Sequence, residues 1–164
     1  MEALFKPHHF LDLLYELAEN NSQFDTFSPT GQQMGYYGNC LAAGEIDTVV
    51  FTTGADGPCA PCQKLADGIC TDTFTTPEAI AFNRGFTRKY DYNLKMDTDL
   101  IGALPQVFTP GQAQPMDGVL AQLREQLTPE MILMTWYRKD RVAMTFRGLE
   151  MAIQARKRLK GLSH

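Results

Sequence analysis

No stretch of this chain approaches the roughly 18 consecutive apolar residues that a membrane-spanning helix needs, which argues against a membrane partner. The opening, Met1 to His9, has no apolar run behind a charged region, so no secretory leader is expected. That points to the cytoplasm, where thiols stay reduced. Nucleotide-cradling glycine patterns, a His-Glu-x-x-His metalloprotease helix and a Gly-x-Ser-x-Gly elbow are all missing. There is no internal repeat, no low-complexity tract and no interdomain linker, so residues 1–164 are expected to form a single domain. Excess positive charge is missing too. Fifteen Lys and Arg face 19 Asp and Glu, a net charge of −4, which argues against a dedicated nucleic-acid binder.

What is present is an ordinary globular balance, 44% hydrophobic and 21% charged. The charge is unevenly distributed, however. From Arg138 onward there are eight Lys and Arg against two Asp and Glu; the remainder carries seven against seventeen. The body is acidic and the tail basic. The run Arg156-Lys157-Arg158-Leu159-Lys160 reads as the cation-rich last turn of a solvated helix, which the helix dipole favours.

Pro7 predicts a helix start, followed by an apolar stripe at Phe10, Leu13, Leu14 and Leu17. Ser28-Pro29 predicts a second helix running to about Ala43, with Gly44 as its stop. Ile46 to Thr53 reads as a short buried strand, with no clear pairing partner elsewhere. Residues 54–73 read as irregular loop. Thr76-Pro77-Glu78 opens a helix expected to reach Leu94, and Pro105 to Pro115 reads as loop. A helix follows from Gln114 or Pro115 through Leu127, and Thr128-Pro129-Glu130 opens the last helical region. Its basic helix is expected over about 141–161, with a hairpin over Ile132 to Phe146 as an alternative. The expected class is α+β, predominantly helical, with a small sheet and an irregular Cys-containing loop. Trp136, Tyr137 and Phe146 read as core, and Asp91, Asp97 and Asp99 as a solvated turn.

Chemistry concentrates in the cysteines. Cys59, Cys62 and Cys70 form C-x2-C-x7-C in a Gly- and Pro-rich segment. A C-x2-C turn lets two thiolates converge on one ion, and a third can close back over it. A loop with little packing of its own needs something else to hold it, and a bound metal is the obvious candidate. The fourth ligand is open among Cys40, His8, His9 and Asp12. The metal-binding elements are therefore 6–16 and 54–73, and the metal is zinc or an iron–sulfur cluster. The alternative is a thiol-dependent enzyme or redox protein using Cys59 and Cys62 with His8 or His9. Partners are unnamed, and a homo-oligomer is left open.

The segment Lys6-Pro7-His8-His9-Phe10-Leu11-Asp12, together with Asp56-Gly57-Pro58-Cys59-Ala60-Pro61-Cys62 and Cys70, resembles a bacterial and archaeal family of unknown function described as predicted iron–sulfur-binding proteins. That family opens Arg-Pro-His-His-Leu-Leu-Cys and carries a later Cys-x-x-Cys segment with another Cys. Phe27-Ser28-Pro29 and Met34 extend the likeness loosely, and it spans about residues 5 to 75. Asp12 stands where the family has its first Cys, and Lys6 replaces its Arg. The resemblance implies three outcomes: Asp12 ligates through oxygen, His8 or His9 completes a Cys3His zinc site, or nothing binds. The lost thiolate shifts the balance toward zinc. Lys6 itself reads as a solvated side chain beside the helix start.

Overall fold

The computed structural model describes residues 1–24, 33–135 and 140–161. Strand β1 (Glu2–Phe5) leads directly into helix α1 (Pro7–Glu19), whose first turn Pro7 sets, as expected. Helix α2 (Met34–Ala42) ends one residue before Ala43, and Gly44 then takes φ 74°, a left-handed value that favours glycine. The predicted start of α2 at Ser28-Pro29 lies outside the described residues. Strand β2 (Thr48–Phe51) follows.

The partners of β2 are strands the sequence did not announce. β1 pairs with it in parallel, Phe5 opposite Phe51, and β5 (Ala113–Pro115) pairs antiparallel on its other side, Val49 opposite Gln114. β5 has only three residues, and in β1 the outward-facing Leu4 sits between Ala3 and Phe5, so no polar–apolar alternation registers. The segment 54–73 is not wholly irregular either. Asp67-Gly68, at φ 50° and 75°, turns a two-residue hairpin of β3 (Leu65–Ala66) and β4 (Ile69–Cys70). Asp-Gly is a strong signal for such a turn.

The helix expected from Thr76 to Leu94 is two helices. α3 (Pro77–Phe82) is capped by Thr76, whose hydroxyl accepts from the Ala79 amide at 3.1 Å. Arg84 at φ 60° and Gly85 at φ 81° then break the chain before α4 (Lys89–Ala103). The expected loop 105–115 holds a short helix α5 (Pro105–Phe108) as well as β5. α6 (Met116–Gln126) forms as expected. The alternative hairpin over 132–146 does not form. α7 (Pro129–Thr135) and α8 (Asp140–Leu159) occupy its two arms, while Trp136, Tyr137, Arg138 and Lys139 lie outside the described residues.

The fold is α+β and predominantly helical. Its core joins the α1 stripe of Phe10, Leu13, Leu14 and Leu17 to Phe5, Val49 and Phe51 of the sheet and to Leu120, Leu123 and Leu149. α8 lies against α1 so closely that a Cβ on Gly148 would stand 1.7 Å from the Leu14 carbonyl oxygen. Phe146 is partly buried against the core. No helix of the described residues is long and apolar enough to cross a membrane.

Candidate metal centre

The site begins with Asp56, which the sequence reading passed over. Its carboxylate is buried and accepts three hydrogen bonds. The Lys6 amide and His9 Nδ1 donate to Oδ2 at 2.7 and 2.8 Å, and the Cys59 amide donates to Oδ1 at 3.0 Å. The last spans three residues, as an N-cap bond does, and fixes the turn that starts the C-x2-C segment. The Gly57 amide also donates to the Leu4 carbonyl at 2.9 Å. Protein groups thus tie the start of the Cys-containing segment to β1 and α1. The signal that could have found Asp56 is its place three residues before Cys59.

A carboxylate can only accept, so the bond to Asp56 puts a ring proton on Nδ1, and Nε2 can serve an ion only by giving up the second proton that the buried Asp56 charge favours there. A His9 ring nitrogen, an Asp56 oxygen and the Cys59 sulfur lie within 4.8 Å of one another, all buried. His9, Cys59, Cys62 and Cys70 then line one cavity of about 10 Å³ with Leu65, and with Lys89 and Asn93 from α4. Cys62 and Cys70 are half-buried and stand outside the tight three-residue group. The β3–β4 hairpin is what brings Cys70 back to this cavity. All four cysteines are free thiols.

Burial opposes charge on both members of the His9–Asp56 pair, but their mutual attraction exceeds it. His9 is pushed up to about 10 by the Asp56 charge and hydrogen bond, with Cys59 adding. The Asp56 carboxyl is held well below the usual range by the His9 charge, the His9 hydrogen bond and the Lys6 amide. Near the thiols, exposed Lys64 sits 2.9 Å from Asp72, which raises its affinity for a proton; Cys70 and Cys62 add to this. Lys89 is 3.7 Å from the same carboxylate.

His8 turns elsewhere. Its amide and Nδ1 both lie 2.8 Å from Asp97 Oδ1, and burial lowers its pKa despite that carboxylate. Asp97 is therefore a buried helical residue of α4, not part of a solvated turn. The His8 and His9 rings remain neighbours, 4.3 Å between centroids. Lys6 is 4% exposed, so it is a buried residue and not a solvated lysine.

Asp12 and Cys40 do not reach the cavity. Asp12 Oδ1 accepts from Arg141 Nη1 at 2.8 Å, and the same guanidinium lies 4.0 Å from the Tyr15 ring centroid. Cys40 is buried on α2, where burial raises its thiol pKa and a hydrogen bond with Tyr36 partly opposes it. The structure thus gathers Cys59, Cys62, Cys70 and His9, and directs His8, Asp12 and Cys40 to other partners. No family model, curated protein or solved structure matches the chain.

Proposed function

We propose that this is a metal-binding protein with a single-ion zinc centre held by Cys59, Cys62, Cys70 and His9, in a compartment that keeps thiols reduced. The observation that carries this reading is the shared cavity of those four side chains and its size. About 10 Å³ is room for roughly one water-sized sphere. A four-iron, four-sulfide cubane is several times larger. Three thiolates and one imidazole are a donor set suited to tetrahedral zinc.

Asp56 acts behind the ligands. Its oxygens are already engaged by two amides and His9, so it orients the imidazole instead of binding the ion. Four protein ligands leave no open position, which makes the centre structural in kind. It would join the cysteine segment to α1 beside α4. With Asp12 engaged by Arg141, the resemblance to the iron–sulfur family is carried by His9 and three cysteines.

The test is elemental analysis and an absorption spectrum of protein purified without oxygen. About one zinc per chain in a colourless sample is expected, and serine at Cys59, Cys62 or Cys70, or His9→Gln, should lose it. Iron with a broad visible band, or fewer than about 0.3 equivalents of any metal, would sink the proposal.

The tight Cys59–His9–Asp56 group supports a second reading, a nucleophile, base and orienting carboxylate. The cavity beside Cys59 has no room for a substrate, and this reading leaves Cys62 and Cys70 without a task. Thiol labelling separates the two. Fast labelling of Cys59 that ignores chelators favours the enzyme; slow labelling that accelerates on chelation favours zinc.

A further inference from the structure

The basic last turn is exposed at Arg158 and Lys160, as expected, but Arg156 is buried. The turn's cations, on α8, meet α6 across a groove of about 290 Å³, close to the roughly 300 Å³ at which small-molecule sites begin. The floor is apolar, from Leu120 and Ala121 on α6 and Ile153 on α8. The rim carries four cations, Arg124, Arg156, Lys157 and Lys160, against the single carboxylate of Asp117. Glu150 and Asp47 stand just outside this lining and also pair with its cations.

One wall is rigid. Arg156 is 7% exposed; its Nε donates to Asp117 at 2.9 Å, and its Nη1 to the Gly44 carbonyl at 2.6 Å and to Asp47 at 3.0 Å. Lys160 also pairs with Asp117, so that one carboxylate serves two cations. Arg124 pairs with Glu150 at 2.8 Å. Lys157 makes no ion pair among the described residues. The groove therefore combines a greasy floor with one cation at its edge, Lys157, that no carboxylate among the described residues pairs with. Water satisfies the first poorly, and an inorganic anion satisfies only the second.

We propose that the α6–α8 groove binds a small amphipathic organic anion, its apolar body on Leu120, Ala121 and Ile153 and its acidic head toward Lys157 and the Arg156 wall. The ligand class is a medium-chain carboxylate. Preformed apolar pockets with a few convergent polar groups are the usual form of such sites. The groove shares no residue with the cysteine cavity, so this site stands or falls independently of the zinc reading.

The experiment is calorimetric titration of the full-length protein with octanoate, 1-octanol and acetate, repeated on Ala121→Trp, which plugs the floor from an exposed position, and on Lys157→Glu, which reverses the unpaired charge. Octanoate should bind with a micromolar Kd, and octanol and acetate each at least about tenfold more weakly. Both variants should weaken octanoate by about tenfold or more while circular dichroism stays unchanged. An octanoate Kd above about 1 mM overturns the proposal. So does equal affinity for octanol, or undiminished octanoate binding in both folded variants. Retention of a short DNA duplex at low salt that octanoate does not displace would also overturn it, by assigning the charge to phosphate contacts.

Discussion

Asp56 and Glu16 show at the residue scale how burial and charge set what a side chain does. Asp56→Asn keeps the shape but removes the carboxylate that locks the His9 tautomer. It should weaken the proposed zinc binding about 10- to 100-fold, measured by competition with a chromophoric chelator. Unchanged affinity would mean that Asp56 serves only the turn. Glu16, on α1, is a different case. Burial lifts its carboxyl to about 7, with Asp12 adding and Arg141 opposing. A folded pKa above the unfolded one means that the fold prefers the protonated acid, so the stabilisation is full below about 4.5 and is lost as pH rises through about 7. Glu16→Gln should therefore be nearly neutral at pH 5 and stabilise by on the order of 1 kcal/mol at pH 8, a figure discounted for its partial exposure. Denaturant midpoints at the two pH values check this, and a gain of equal size at both would contradict it. His9 was legible as a candidate because Pro-His-His is local. Its selection over His8 was not, because the deciding carboxylates arrive from residues 47 and 89 positions away.

Elements were legible in proportion to their length. α1 and α6 follow from a proline start or a long apolar period. The two-residue strands β3 and β4 lie below the length at which periodicity carries a signal, and β1 hides its alternation behind the exposed, apolar Leu4. The break before α4 depends on Arg84 in a left-handed conformation, which no propensity for Arg would suggest. The α1–α8 packing is the element-scale contact with the sharpest consequence. Gly148 lets two helix backbones approach, and any side chain there would press on the Leu14 carbonyl. Gly148→Ala should cost about 3 kcal/mol or more by forcing the helices apart, despite alanine's better helix propensity. A thermal midpoint equal to or above the parent's would show that the helices slide without cost.

The whole molecule should depend on its metal if the proposed centre forms. Free zinc at a thousandfold excess over its Kd stabilises by about 4 kcal/mol, so a strong chelator should lower the thermal midpoint by roughly 10 °C in a domain this size. Asp56 and the Gly57–Leu4 bond already anchor one end of the cysteine segment. The loss should therefore appear first around Cys62 and Cys70, as faster hydrogen exchange over residues 60–72 than in α1. A midpoint unchanged by chelation would leave the cysteines without a structural ion. The sequence by itself determined the helical class, the α1 stripe, the short central strand and the three-cysteine spacing, because each rests on neighbours within one turn, one pleat or one loop. Tertiary structure alone decided that β1 and β5 flank β2, that His9 and not Asp12 faces the thiols, and that the basic tail closes on an apolar groove. Those outcomes depend on which distant backbone amide, carboxylate or guanidinium satisfies a buried polar group, and no local pattern encodes that choice.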